Sequence, residues 1–472
     1  GSRARAMCYI GGVTDTRGAS CHASYTEGRF MNAGQERSAE AAPVREPHAS
    51  DAAPAVAHAA PPSTSASSAS ARGAWPAAQV QARRAVVEGR VRCYDPATLR
   101  PLGDVPSLTP AQVNERVARA RAAAPAWART PITERRRVLR ELLDLILAEK
   151  DTICHEAARD SGKTLVDAAM GELFPVCEKI RYLLAHGAAD LKPERRGAGI
   201  LLHKKARVEV QPLGVIGVLC PWNFPFHNIF CPLVPALFAG NAVVAKASEW
   251  TSRSASYFEG LVRRVLRERG HSEDLVQVLT GDGETGAALV RSGVDKIFFT
   301  GSPQNGRRVM ATAAESLTPV VLELGGKDAM IICEDADLEQ AASSAMLGVF
   351  TACGQMCVAA ERLYVFDGIY HAFVDRVLDK VRALRQGPPL QGEYDVGAMT
   401  MPGQLAIIQR QVDDAVAKGA KVLCGGRART ELGGQFYEPT VIVNADHRMA
   451  ITREETFGPV MVIMRVGSDD EA

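Results

Sequence analysis

Two side chains in one stretch of this 472-residue chain are of types that can do covalent chemistry together. Between Val320 and Arg362 the sequence offers a carboxylate, Glu323, at the end of the apolar run Val320-Val321-Leu322. Leu324-Gly325-Gly326-Lys327-Asp328 follows, and a thiol, Cys357, comes just after Gly354-Gln355-Met356. A carboxylate where an apolar run gives way to two glycines sits where a strand leaves its sheet and the backbone stays close to a ligand. A cysteine beyond a Gly-Gln break is expected to be exposed and reactive rather than packed. Taken singly, Glu323 is better read as a solvated strand end and Cys357 as an inert core cysteine. The rest of the chain reverses that balance.

Three more clusters stand at the ends of apolar runs. After Val215-Ile216-Gly217-Val218-Leu219 comes Cys220-Pro221-Trp222-Asn223-Phe224-Pro225, where two prolines fix the backbone around an amide that can donate hydrogen bonds without titrating. A loop Asn is more often a plain turn residue. After Ala242-Val243-Val244-Ala245 comes Lys246-Ala247-Ser248-Glu249, whose ammonium and carboxylate could engage ribose hydroxyls or simply pair with each other. After Lys296-Ile297-Phe298-Phe299 comes Thr300-Gly301-Ser302-Pro303-Gln304-Asn305-Gly306-Arg307. A strand, a glycine turn and a helix start make an anion site, because free amides and the helix dipole point to one place. Near the end, Glu454-Glu455-Thr456-Phe457-Gly458-Pro459 sets two acids beside an aromatic, a pattern that by itself is a solvated edge. Ser161-Gly162-Lys163-Thr164 has the ending of a phosphate-binding P-loop, but Ala157 stands where that loop needs its first glycine, so the motif is rejected.

The elements that must position these residues follow from periodicity. Strands are expected at 208–210, 215–219, 242–245, 275–279 and 296–299, with helices between them at 227–238, 252–269, 284–291 and 304–314. Regular alternation predicts an α/β fold with a doubly wound parallel sheet, whose ligands sit at the carboxyl ends of the strands. Upstream, Thr109-Pro110-Ala111-Gln112 reads as a capped start of a helix reaching Ala126, and a second helix is expected from Thr133 to Ala158. Order is expected from near Val91. Residues 1–85, rich in Ala, Ser and Pro, read as a disordered tail. Their Arg, Ala and Ser content resembles a transit sequence, whereas Glu36, Glu40, Glu46 and Asp51 do not, so targeting stays open between cytoplasm and an organelle.

Composition bounds the function. A net charge of +1 gives no electrostatic case for nucleic acid or an anionic membrane. The 11 cysteines, odd in number and without zinc-ribbon or disulfide-scaffold spacing, point to free thiols in a reducing compartment and to no metal site. No apolar run approaches a membrane span.

Taken in order, the motifs resemble the NAD(P)-dependent aldehyde dehydrogenase superfamily from about residue 91 to the end. They are Pro-Trp-Asn-Phe-Pro at 221–225, Lys-x-x-Glu at 246–249, Phe-Thr-Gly-Ser with a later Gly at 299–306, Glu-Leu-Gly-Gly-Lys at 323–327, Gly-Gln-x-Cys at 354–357 and Glu-x-Phe-Gly-Pro at 455–459. Leu213 to Gly217, Pro225 to Phe230 and Ile331 to Asp337 are most similar to the plant family 22 type and its fungal relatives. That subgroup would carry an amino-terminal membrane anchor, and none is visible.

The resemblance implies a dinucleotide-binding domain over 86–322 with a small bridging β-hairpin near 197–212, and an α/β catalytic domain over 323–472. Because the family continues past a segment like Met461 to Ala472, that domain is expected to be incomplete at its carboxyl end. It implies that Cys357 attacks an aldehyde, that the Asn223 amide and the Cys357 backbone N–H hold the oxyanion, and that Glu323 activates water to release a carboxylate. Cofactor-binding roles carry over to Trp222, Lys246, Glu249, Gly281, Gly301, Ser302, Gly306, Glu455 and Phe457. Glu249 would repel a ribose phosphate, so NAD is expected over NADP. A homo-oligomer is expected of the full-length protein.

Ala247 departs from the proline common in the family. Cys353 lies four residues before Cys357, close enough on a helical turn for a redox pair, although such neighbours are usually incidental. Two other readings remain: a catalytically silent binding or scaffold protein that keeps the fold, and an acyl-transferring dehydrogenase, which would not need Glu323.

Overall fold

Apolar runs of four or five residues without alternation predict strands buried on both faces. In the computed structural model β6 (Val215–Leu219) and β7 (Ala242–Lys246) are buried along their whole length. The structure describes residues 86–201 and 203–472, so the tail expected over 1–85 lies outside it.

The chain first makes a three-stranded antiparallel sheet from β1 (Val86–Val87), β2 (Arg90–Tyr94) and β3 (Pro101–Pro106), beginning slightly before the expected onset of order. The next helix, Pro110–Ala128, opens on the predicted capping box. The Thr109 backbone N–H donates to Gln112 Oε1 at 2.9 Å and the Gln112 N–H to Thr109 Oγ1 at 3.4 Å. Val113, Val117 and Ala120 are buried as the spacing requires.

The second helix expected over 133–158 is instead two, Ile132–Ala148 and Lys150–Ser161. They break at Glu149, whose φ of −96° and ψ of 11° leave the helical region while its carboxylate accepts from the Tyr257 hydroxyl at 3.3 Å. No glycine or proline marks the break, so the periodicity ran through it. The following helical run over 165–190 contains two π-turns, Ala169–Leu173 and Leu183–Gly187. The strand expected at 208–210 is shifted. β4 (Glu194–Arg196) and β5 (Ala206–Val208) form a hairpin whose residues are exposed or half-buried, and Val210 lies beyond it.

The dinucleotide-type sheet has strand order β10-β9-β6-β7-β8, parallel throughout, adding β8 (Val276–Leu279), β9 (Lys296–Gly301) and β10 (Val320–Leu324). The chain builds outward from β6 through β7 to β8, then returns to lay β9 on the other side of β6. That reversal leaves a crevice between the carboxyl ends of β6 and β9, where such sheets bind ligands. Glu323 belongs to this sheet, in register with Thr300 of β9.

Beyond it a second five-stranded sheet has order β11-β12-β15-β14-β13, from β11 (Ala329–Ile332), β12 (Arg362–Phe366), β13 (Lys421–Cys424), β14 (Thr440–Val443) and β15 (Val460–Val466). It is parallel except for antiparallel β13. Separate apolar cores form around the two sheets. Among the described residues no helix is long and apolar enough to cross a membrane.

Asp160, 1% exposed, fastens the helix Ser252–Glu268 by accepting from the Ser254 backbone N–H and hydroxyl, both at 2.8 Å. Burial pushes its carboxyl up to about 6, outweighing those bonds. A raised folded-state value means stability that is present in acid and lost as pH climbs through about 6. Asp160→Asn removes the titration. The unfolding free energy of the variant relative to the wild type should therefore rise by about 1–2 kcal/mol between pH 5 and pH 8, read by urea denaturation; a constant difference would contradict the assignment.

Candidate active site

A cavity of about 920 Å³ opens at the carboxyl ends of β6, β7, β9 and β10. Its walls bring together Asn223, Glu323 and Cys357, with Trp222, Lys246, Glu249, Gly301, Ser302, Glu455 and Phe457. Gly281 and Gly306 are not on its walls. A Cβ on Gly281 would meet the Thr285 side chain, and one on Gly306 would lie 2.8 Å from Leu324, so both serve close packing behind the surface.

Asn223 sits in a backbone that makes no regular hydrogen bonds of its own, and its neighbours hold it from three directions. Lys163 Nζ donates to its carbonyl at 2.7 Å, Asn228 Nδ2 donates to its Oδ1 at 3.2 Å, and its own Nδ2 donates to the Gln355 carbonyl at 2.9 Å. One amide hydrogen is thereby committed and the other is free for an oxyanion.

Lys163 is 1% exposed and pairs at 2.5 Å with Glu172, which is 0% exposed and lies in the first π-turn. Glu172 Oε2 also accepts from the Phe226 and His227 backbone N–H groups at 2.9 Å, at the start of the helix Pro225–Phe238. Burial pulls the Lys163 ammonium down and Glu172 opposes that. Sequence reasoning met Lys163 only as a failed P-loop. It passed over Glu172 altogether, because a buried ion pair nine residues apart has no periodic signature.

The thiol is presented by a backbone reversal. The helix Leu338–Phe350 ends, and Ala352 and Cys353 take left-handed conformations with φ of 50° and 58°, followed by Gly354 at 71°. Gln355, 2% exposed, holds this turn. Its Nε2 donates to Ala352 O at 2.9 Å and its Oε1 accepts from the Thr400 N–H at 2.8 Å. A Cβ on Gly354 would lie 2.2 Å from the Gly458 carbonyl oxygen, so only glycine fits. Cys353 is buried in the core around the second sheet whereas Cys357 is exposed in the cavity. The helical turn that a redox pair would need is absent between them.

On the far side Lys327 and Glu361 form a second shielded pair at 2.5 Å. Glu361 accepts from the Thr456 and Phe457 backbone N–H groups, at 2.8 Å each to its nearer oxygen, and so fixes the loop bearing Glu455 and Phe457. Phe457 packs edge-on against Trp222 with ring centres 5.3 Å apart, making one wall from two loops distant in sequence.

The residues facing β7 and β9 fit a nicotinamide dinucleotide. Lys246, 6% exposed, pairs with Glu249 at 3.3 Å on the cavity wall, a donor and acceptor set suited to a ribose diol. Ser302 caps the helix Pro303–Ala314 beside them, where helix-start amides favour a phosphate.

Around the Cys357 thiol the charge is negative. Burial raises the Cys357 thiol above its ordinary value, its own backbone N–H opposes this, and Glu455, Asp328 and Glu323 raise it further. Glu455 is itself pushed up to about 7 by burial and by Glu361.

The aldehyde dehydrogenase family model matches residues 82–472. An aldehyde dehydrogenase-like protein of Schizosaccharomyces pombe is 37% identical over 385 residues, covering 80% of this chain and 74% of the relative. One of Saccharomyces cerevisiae is 37% identical over 398 residues, and there the alignment takes in 80% of this chain but only 62% of the relative's length. Among solved structures, a Mycobacterium tuberculosis aldehyde dehydrogenase complexed with NAD+ superposes with a TM-score of 0.76 at 30% identity, over 82% of this chain and 79% of that one. An Escherichia coli NADP-dependent enzyme superposes with a TM-score of 0.77 at 32% identity, over 81% and 78%.

A carboxylate beside a thiol disfavours the thiolate, so neutralising it must lower the thiol pKa. Glu455→Gln is expected to move the pH profile of Cys357 alkylation by iodoacetamide to lower pH than in the wild type. An unmoved profile would remove Glu455 as a cause of the raised thiol.

Proposed function

Because the chain belongs to the aldehyde dehydrogenase family, we propose that it oxidises an aldehyde to a carboxylate with NAD, through a thiohemiacetal and a thioester on Cys357. The observation that supports this most directly is that Cys357, Asn223 and Glu323 line one cavity at the crevice between β6 and β9. A binding protein has no use for a strained loop that exposes a thiol opposite a preset amide.

The steps follow from what these groups can do. Cys357, once deprotonated, adds to the carbonyl carbon, and the free hydrogen of the Asn223 amide meets the oxygen as it becomes an alkoxide. A bound nicotinamide supplies the hydride acceptor, which leaves the substrate carbon oxidised to the thioester level. Glu323, exposed at the end of β10, then takes a proton from a water that attacks the thioester, releasing the carboxylate and the thiol. The acyl-transfer reading has no such work for a base at that position.

Glu249 favours NAD over NADP, since a 2′-phosphate would add negative charge beside its carboxylate. The hairpin β4–β5 and the segment after it, with exposed Leu201, Val208 and Val210, support assembly into a homo-oligomer. Nine free thiols among the described residues favour a reducing compartment, cytoplasmic or organellar.

Cys357→Ala should abolish NADH formation from a panel of aldehydes while leaving NAD affinity by calorimetry unchanged; persisting turnover would remove the nucleophile. Glu323→Gln should give a full pre-steady-state burst of NADH followed by turnover slowed by about 10²–10⁴-fold. Loss of the burst would place Glu323 before hydride transfer instead. For cofactor choice, kcat/KM with NAD should exceed that with NADP, and Glu249→Ala should narrow the ratio; a wild-type preference for NADP would overturn the reading.

A further inference from the structure

On the side of the thiol facing the helical run over 165–190, the cavity is walled by Met170, Pro175, Phe224, His227, Met356 and Val358. Val166 and Phe174, one turn to either side of Met170, are exposed apolar side chains, so the apolar surface continues outward from the cavity. The cations nearby are committed or elsewhere. Lys163 lies behind the Phe224 ring, 3.9 Å from its centre, bound to Glu172. Lys246 is paired with Glu249 and, with Arg308, lies toward the strand ends of the first sheet. Lys179 is exposed and is not on the wall. An anionic substituent entering this arm would lose its hydration with no unpaired cation on the wall to make contact with it, Lys163 and Lys179 acting only from behind it.

Two polar side chains interrupt the apolar wall. Asn228 is engaged by Asn223. His227, on the cavity wall, has its Nδ1 3.6 Å from the Cys231 sulfur, and its Nε2 has no hydrogen-bond partner among the described residues. Burial, together with Lys163 and Lys179, pulls the imidazole down to about 4, so it is neutral at physiological pH. Burial holds the Cys231 thiol protonated, pushed up to about 11, and an S–H donated to Nδ1 leaves the ring proton on Nε2.

We propose that this arm selects uncharged aldehydes with an apolar body, and that His227 is a specificity residue donating from Nε2 to an oxygen carried on that body. This rests on the dehydrogenase reading of the same site. Deepest beside the thiol the arm is apolar, so the chain bearing the aldehyde needs no charge for its orientation; the one directional contact is to His227.

Two measurements separate this proposal from the reading beneath it. The first needs no turnover: protection of Cys357 from iodoacetamide by hexanamide and by 6-amino-6-oxohexanoate, its carboxylate-bearing counterpart. Hexanamide should protect at a concentration at least tenfold lower; equal or better protection by the anion overturns the substrate class whether or not the enzyme turns over. Protection by hexanamide with no NADH from any aldehyde would instead sink the dehydrogenase reading and leave the arm's selectivity standing. The second compares kcat/KM for 4-oxohexanal and hexanal. His227→Leu should lower the ratio about tenfold through KM, and His227→Gln, which keeps a donor, should restore it. A ratio unmoved by His227→Leu, or unrestored by His227→Gln, removes His227 as the donor.

Discussion

The ion pair between Lys163 and Glu172 governs the geometry of the site. Both side chains are out of water, so each charge survives only because the other, and a set of backbone groups, replaces hydration. Those backbone groups frame Asn223, the proposed oxyanion donor. Lys163 donates to the carbonyl of Asn223, and Glu172 accepts from the N–H groups of the second and third residues of the helix that starts two residues later. A carboxylate at a helix start is also favoured by the helix dipole. The backbone that follows the Asn223 side chain, from its own carbonyl to the helix start, is thus tied to one buried point. Losing either partner would strand a charge at a cost of about 3–5 kcal/mol, and it would free the loop at the same time.

The same solution recurs across the cavity. Lys327 and Glu361 hold the backbone of Thr456 and Phe457, and Gln355 between the two pairs joins the thiol turn to Asn223 and to Thr400. Loops that expose reactive groups cannot satisfy their own N–H and C=O groups as a helix or sheet does. Here buried side chains supply the missing partners, which fixes loops as firmly as secondary structure would. Glu172 resides in a π-turn, and the neighbouring Gly171 brings the helix against the Phe224 ring, where a Cβ would come within 2.4 Å.

Much of the scaffold was legible because its signals are periodic. The strands β6 and β9 and the helices between them announced themselves through apolar runs, and the capping box at Thr109 through four adjacent residues. Asn223, Glu323 and Cys357 were legible through residue type at strand ends. The second sheet was not read, and neither were the break at Glu149 and the π-turns, whose causes are contacts with distant segments. The supporting pairs were invisible for the same reason. Lys163 and Glu172, or Lys327 and Glu361, are ordinary charged residues until the fold removes the water around them.

The thiol turn shows why this support is needed. Left-handed Ala352 and Cys353 each cost roughly 1–3 kcal/mol, yet without that reversal the chain would run on from the helix Leu338–Phe350 and carry Cys357 away from Asn223. Full burial of the Cys353 side chain and the two bonds from Gln355 offset the strain. At Gly354 the backbone touches the Gly458 carbonyl so closely that no side chain could intervene, so the thiol turn and the loop carrying Glu455 form one mechanical unit. Glu455 therefore stays beside Cys357 through backbone packing rather than through the reach of a flexible side chain. With its own carboxyl titrating at about 7, its charge near neutrality follows small changes in its surroundings. The ease of deprotonating the thiol follows that charge in turn.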